Sequence, residues 1–157
     1  MPPQSVRQWN RAVKVDFWQL SRDPAERVVA LIAQKVCGAG DRLLVVSSDP
    51  AQLAVIGKTL WETAPEAFLA NGTSNEPGAD RQPILLSGEC RAVNGASHII
   101  FADGQWRDTA EGFDRSFLLF DAATLDAARA CWRGLDGRDG VERSFFRQDG
   151  GKWVKVA

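Results

Sequence analysis

The stretch Leu43-Leu44-Val45-Val46-Ser47-Ser48-Asp49-Pro50-Ala51-Gln52 decides the fold. Four apolar residues in a row read as a short strand buried on both faces. Asp49 then suits a helix N-cap, and Pro50 fits the first helical position. Leu53, Ile56 and Leu60 follow as the inner stripe of that helix. The same grammar occurs once before. Lys14 to Leu20 alternates and carries Val15, Phe17 and Trp18, which predicts a strand. Asp23-Pro24-Ala25-Glu26 follows, with Glu26 placed to complete a capping box. Val28, Val29, Leu31, Ile32 and Val36 keep helical spacing until Gly38 and Gly40 stop the helix. Two successive strand–helix units imply a parallel sheet with right-handed crossovers.

Downstream, Asn71 to Gln82 is rich in Gly, Pro, Asn and Asp and reads as a loop. Ile84–Leu86, His98–Phe101 and Phe117–Phe120 are expected strands, and Gly104 to Asp114 suggests a short helix. Asp121 to Leu135 is expected as the last helix, broken by Gly137 to Gly140. Val141 to Arg147 and Lys152 to Val156 flank Gly150-Gly151, the signature of an antiparallel hairpin. The expectation is a three-layer α/β domain with a mostly parallel sheet, helices on both faces and a C-terminal hairpin.

A chain of 157 residues suits one domain and can bury a core without metal or disulfides. Residues 14–157 are assigned to that domain and residues 1–13 to a flexible extension. Met1 to Lys14 lacks the apolar stretch of a secretory signal; it carries Arg7, Arg11 and Lys14 with no acid, so a start codon assigned too early and a basic arm touching DNA are the other readings. Net charge is −1 and the pI about 5.8, which argues against strong direct nucleic-acid binding. Cys37, Cys90 and Cys131 are odd in number and lack metal-ligand spacing, so they are expected to be reduced thiols of a cytoplasmic protein. No apolar run approaches the roughly 20 residues that span a bilayer.

Recognisable catalytic chemistry is missing from the sequence. The loop after the first expected strand, Ser21-Arg22-Asp23, lacks the glycines that bring backbone close to a pyrophosphate. Gly38-Ala39-Gly40 precedes a strand and reads as a helix stop. No phosphate-cradling or nucleophile-elbow motif is present. His98, the sole histidine, reads as a core or edge residue, and no pair of carboxylates is spaced for acid–base work. Hence no catalytic, cofactor or metal residue is expected.

Two further stretches are more specific: Leu60-Trp-Glu-Thr-Ala-Pro-Glu-Ala-Phe-Leu-Ala-Asn-Gly72 and Arg81-Gln-Pro-Ile-Leu-Leu86. With Val15–Leu20 and Gly40–Val45 they resemble the chi subunit of bacterial DNA polymerase III, over roughly Lys14 to Val156. Where that family commonly has Pro-His after the Phe-hydrophobic pair, this chain has Ala70-Asn71.

The resemblance implies a Rossmann-like sheet without nucleotide binding. It implies a non-catalytic adaptor linking the clamp loader to the acidic, Phe-ending tail of single-stranded-DNA-binding protein. It further implies pairing with a psi subunit, clamp-loader subunits or a helicase. By alignment with the family's motif, Arg129, Trp132 and Arg133 would form the tail pocket, with Leu118 as an apolar wall. Leu125 stands where the family often has a further lysine, so the pocket would carry fewer cations. Trp61 and Phe68 would form the face toward psi, clamp loader or helicase.

Spacing alone puts Leu125, Arg129, Trp132 and Arg133 on one helix face. It leaves open that Leu125 and Trp132 are core and that both arginines serve the helix dipole. Likewise Trp61 and Phe68 could be buried under the following loop. The rival functions are a degenerate nucleotide-binding enzyme and a purely structural α/β module.

Overall fold

The alternation at the start of the chain forms strand β1, Val13–Gln19. The computed structural model describes residues 13–63, 69–108 and 112–157. β1 begins at Val13, whose N–H donates to Gly140 O at 2.7 Å; residues 1–12 of the expected extension lie outside the described residues.

Helix α1, Ala25–Gly38, buries Val28, Val29, Ile32 and Val36. Its start differs from the expected capping box: Pro24 is the N-cap and no side chain caps the helix. The Asp23 carboxylate instead accepts from Gln148 Nε2 at 2.7 Å, while Gln148 Oε1 accepts from the Asp23 N–H at 3.2 Å. A partner 125 residues away outcompetes the local cap. The helix ends as expected. Gly40 takes φ +84°, and Asp41 N donates back to Val36 O at 3.1 Å.

Strand β2, Leu43–Val46, is buried throughout. Helix α2, Pro50–Thr63, starts with the expected cap, Asp49 Oδ1 accepting from Ala51 N at 3.0 Å. Ile56 and Leu60 are fully buried and Leu53 packs beside them.

The expected loop 71–82 contains a strand, β3, Asn71–Thr73, paired in parallel with β4, Ile84–Ser87. Three residues without apolar alternation gave no strand signal. Gly72 lies close against the Gln82 side chain, which would have to shift for a Cβ, since that atom would come within 2.9 Å of Gln82 Nε2. Strands β5, His98–Phe101, and β6, Arg115–Phe120, follow. The described part of Gly104–Asp114 holds no α-helix. Helix α3, Leu125–Gly134, is shorter than expected because a 3₁₀ turn, Ala122–Thr124, precedes it. There Asp121 Oδ1 accepts from Thr124 N, and Thr124 Oγ1 accepts from Asp121 N. Strands β7, Val141–Asp149, and β8, Lys152–Lys155, form the expected hairpin, with Gly150 and Gly151 both at positive φ as its turn requires.

The sheet order is β3-β4-β2-β5-β6-β1-β7-β8, and among the described residues only the β7–β8 pair is antiparallel. The two repeated units are therefore not neighbours, since β5 and β6 lie between β1 and β2. α1 and α2 pack on one face with Trp18, Val45, Leu86, Ile100 and Phe117. α3 packs on the other with Phe17, Val46, Phe101, Leu118 and Phe120. This is the expected three-layer α/β architecture with helices on both faces.

Candidate functional site

The register of β6, β1 and β7 lays two rows of side chains under α3. Leu118, Phe17 and Phe145 form one, and Phe120, Gln19 and Arg147 form the next. α3 turns Leu125, Ala128 and Trp132 onto these rows and leaves Arg129 and Arg133 exposed. Between helix and sheet lies a cavity of about 300 Å³. Phe17, Phe120 and Phe145 line its floor, Leu125 and Trp132 its helix side, and Arg129 and Arg133 its rim. Gln19, Ala128, Val156 and Ala157 complete it. Hydrogen bonds from Val156 N to Phe145 O, 2.8 Å, and from Phe145 N to Ala157 O, 3.0 Å, hold the last two residues against β7. Among the described residues no carboxylate lies within ion-pair distance of Arg129 or Arg133. The arrangement offers an apolar slot under two available guanidiniums.

Trp132 is held on several sides. Its edge meets Phe17 at 5.2 Å and 79°, and Phe145 at 6.2 Å and 89°. The Arg143 guanidinium lies 4.1 Å from its ring centroid. That guanidinium also donates to Trp132 O and, at 2.9 Å, to Asp136 Oδ1. Arg143 thus pins both the indole and the end of α3. Sequence reasoning missed it because the contact depends on how β7 doubles back along the end of α3.

The structure brings Arg129, Trp132 and Arg133 together. Leu118 is fully buried on β6 opposite Phe17, so it backs the floor without lining the cavity. Trp61 lies elsewhere, 55% exposed at the end of α2 on the opposite sheet face. Phe68 lies outside the described residues.

A second cavity, of about 440 Å³, opens at the C-terminal ends of β1, β5 and β6, where doubly wound sheets bind ligands. Asp23, Asp103 and Asp121 line it, with Arg22, Gln52 and Thr124. Burial pushes the Asp103 carboxyl up. Hydrogen bonds from Arg107, Ser48 and Gln105 outweigh burial and hold it below the usual aspartate range. Gly104, at φ +75°, packs against Thr124; a Cβ would come within 2.7 Å of its Oγ1.

The remaining reactive side chains occupy quiet surroundings. His98 Nδ1 pairs with Ser97 Oγ at 2.8 Å, and burial lowers its pKa. Burial raises the Cys37 thiol and, with Asp108, pushes Cys131 up to about 11. Among the described residues no group of three or more His, Cys, Asp or Glu could hold a metal ion. No described helix is long and apolar enough to cross a membrane.

The family profile for the DNA polymerase III chi subunit, HolC, matches residues 13–141. The chain belongs to this family. No curated protein matches it. The chi-family match spans both repeated units, the Leu60–Gly72 stretch and α3, and stops at the first residue of β7. The α3 half of the cavity is therefore family territory. Phe145, Val156 and Ala157 come from beyond the match.

Proposed function

We propose that this chi-family chain is a non-catalytic accessory subunit of bacterial DNA polymerase III holoenzyme, linking the clamp loader to the C-terminal tail of single-stranded-DNA-binding protein. The observation that carries the reading is the apolar cavity rimmed by Arg129 and Arg133. An acidic tail ending in phenylalanine needs an apolar slot for the ring and a cationic fork for the carboxylate, and arginine suits the latter best. Arg129 takes the terminal carboxylate, Arg133 screens the acidic residues, and Trp132 walls the ring. Leu118 acts from behind by fixing Phe17. The second face is built around exposed Trp61, with Phe68, and meets psi, clamp-loader subunits or a helicase. The setting is the cytoplasm, no cofactor is required, and the net charge of −1 fits a protein that reaches DNA through its partners.

Calorimetric titration with a synthetic aspartate-rich peptide ending in Ile-Pro-Phe tests the reading. The free acid should bind measurably and the C-terminal amide should bind about ten- to a hundredfold more weakly. Equal affinity for the two forms would remove Arg129 from its role and leave both arginines to the helix dipole.

A further inference from the structure

The hairpin side of the cavity carries charge that α3 does not use. Gln19 of β1 stands beside Arg147 of β7, and Arg147 stands opposite Val154 of β8. Gln19 and Val156 line the cavity, so this row leads from it to the edge of the sheet. Val154 and Val156 are 43% and 50% exposed, and Arg147 and Lys152 are exposed as well. Among the described residues neither Arg147 nor Lys152 forms an ion pair. Lysines guarding an edge strand are ordinary. However, Arg147 is on the inner strand, and guarding alone does not explain valines left bare between cations.

We propose that this row is the second half of the tail site. The last apolar residue of the ligand fills the cavity, and the acidic residues upstream cross the hairpin over Gln19, Arg147 and Val154 toward Lys152. The inference rests on the cavity being a tail site. Charge complementarity selects the occupant: Leu125 brings no cation from α3, and the row supplies two. Its valines accept the apolar residues between acids, so the ligand is a peptide mixing acidic and apolar side chains. Asp149, opposite Lys152, weakens the outer end, which makes Arg147 the principal contact.

The test uses the full chain and two probes, the aspartate-rich Ile-Pro-Phe peptide and N-acetyl-Ile-Pro-Phe. Arg147→Ala should weaken the first about two- to fivefold, as for an exposed ion pair, and leave the second unchanged. Arg147→Glu should weaken the first further, Lys152→Ala less, and Arg147→Ala should flatten the salt dependence. If Arg147→Glu binds the acidic peptide like the parent while Arg129→Ala does not, the row is overturned and the cavity reading stands. If the parent binds neither probe, both fall. Self-association in sedimentation that Val154→Lys abolishes would assign the face to a second copy and also overturn the proposal.

Discussion

The two cavities use the same sheet in opposite ways. The one at the strand ends is polar: carboxylates line it, and hydrogen bonds from Ser48, Gln105 and Arg107 engage Asp103. The one under α3 is apolar below and cationic above, and among the described residues its two rim arginines lack carboxylate partners. In the first, Gln52, Asp103 and Thr124 are already hydrogen-bonded, and an entering phosphate would meet three aspartates beside one arginine, Arg22. In the second, aromatic area and positive charge are left for something else. The difference teaches that a doubly wound sheet does not by itself dictate where its unsatisfied groups collect.

The sharpest way to break this contrast is at Arg129. A charge-assisted hydrogen bond is worth roughly 1.5–3 kcal/mol, so Arg129→Ala should weaken the Ile-Pro-Phe peptide about ten- to a hundredfold. Combined with amidation of the peptide, the loss should be smaller than the product of the two, because both remove one contact. Calorimetry on the four combinations decides it.

Arg143→Met should have a smaller effect. It removes the cation over Trp132 and the bonds that pin the end of α3, so peptide affinity should fall about three- to tenfold, with circular dichroism unchanged. Affinity equal to the parent would mean the indole is positioned by Phe17 and Phe145 alone.

On the polar side the probe is pH. The folded-state pKa of Asp103 lies below its unfolded value. Its contribution to stability is therefore complete above about pH 4, the unfolded aspartate range, and is lost as pH falls through the lower folded value. Asp103→Asn should be less stable than the parent at pH 7, with the gap closing toward pH 3 in thermal melts, while peptide affinity at pH 7 is unchanged. A gap that stays constant with pH would mean Asp103 is not held by its hydrogen bonds.

Smaller still, Trp61→Ala should change stability by no more than about 0.5 kcal/mol, since the indole is largely in water. It should nonetheless reduce capture of clamp-loader subunits. Finally, ATP, GTP and NAD should give no heat of binding; micromolar affinity for any of them would return the strand-end cavity to the enzyme reading.

Much of the fold was legible because its signals are local. Asp49 and Pro50 start α2, Gly40 ends α1, and Gly150-Gly151 turns the hairpin, each by chemistry within a few residues. β3 was not legible, because Asn71-Gly72-Thr73 is a strand only by virtue of β4 beside it. The Asp23 cap failed for a related reason: Gln148 reaches it from the hairpin. The helix half of the candidate site followed from spacing and family motif, and Arg129, Trp132 and Arg133 do share one cavity. The sheet half did not. Phe145 and Gln19 join it through the pairing of β1 with β7, strands far apart in sequence, and Arg143 through the fold of β7 back along the end of α3; periodicity encodes neither.

The position of β1 bears on how the chain acquires its shape. The first strand has β6 and β7 as its neighbours; Asp16 and its partner Arg115 are 99 residues apart. On a ribosome, β2 to β5 can pair among themselves while β1 still waits for strands not yet synthesised. Closing so long a loop raises contact order and slows folding. Until then the apolar side chains of β1, Val15, Phe17 and Trp18, stay exposed, which makes the nascent chain prone to aggregation. The cavity floor contains Phe17 and Phe145, so it exists only once this last pairing is made. Any binding to that cavity is thereby restricted to chains that have finished folding.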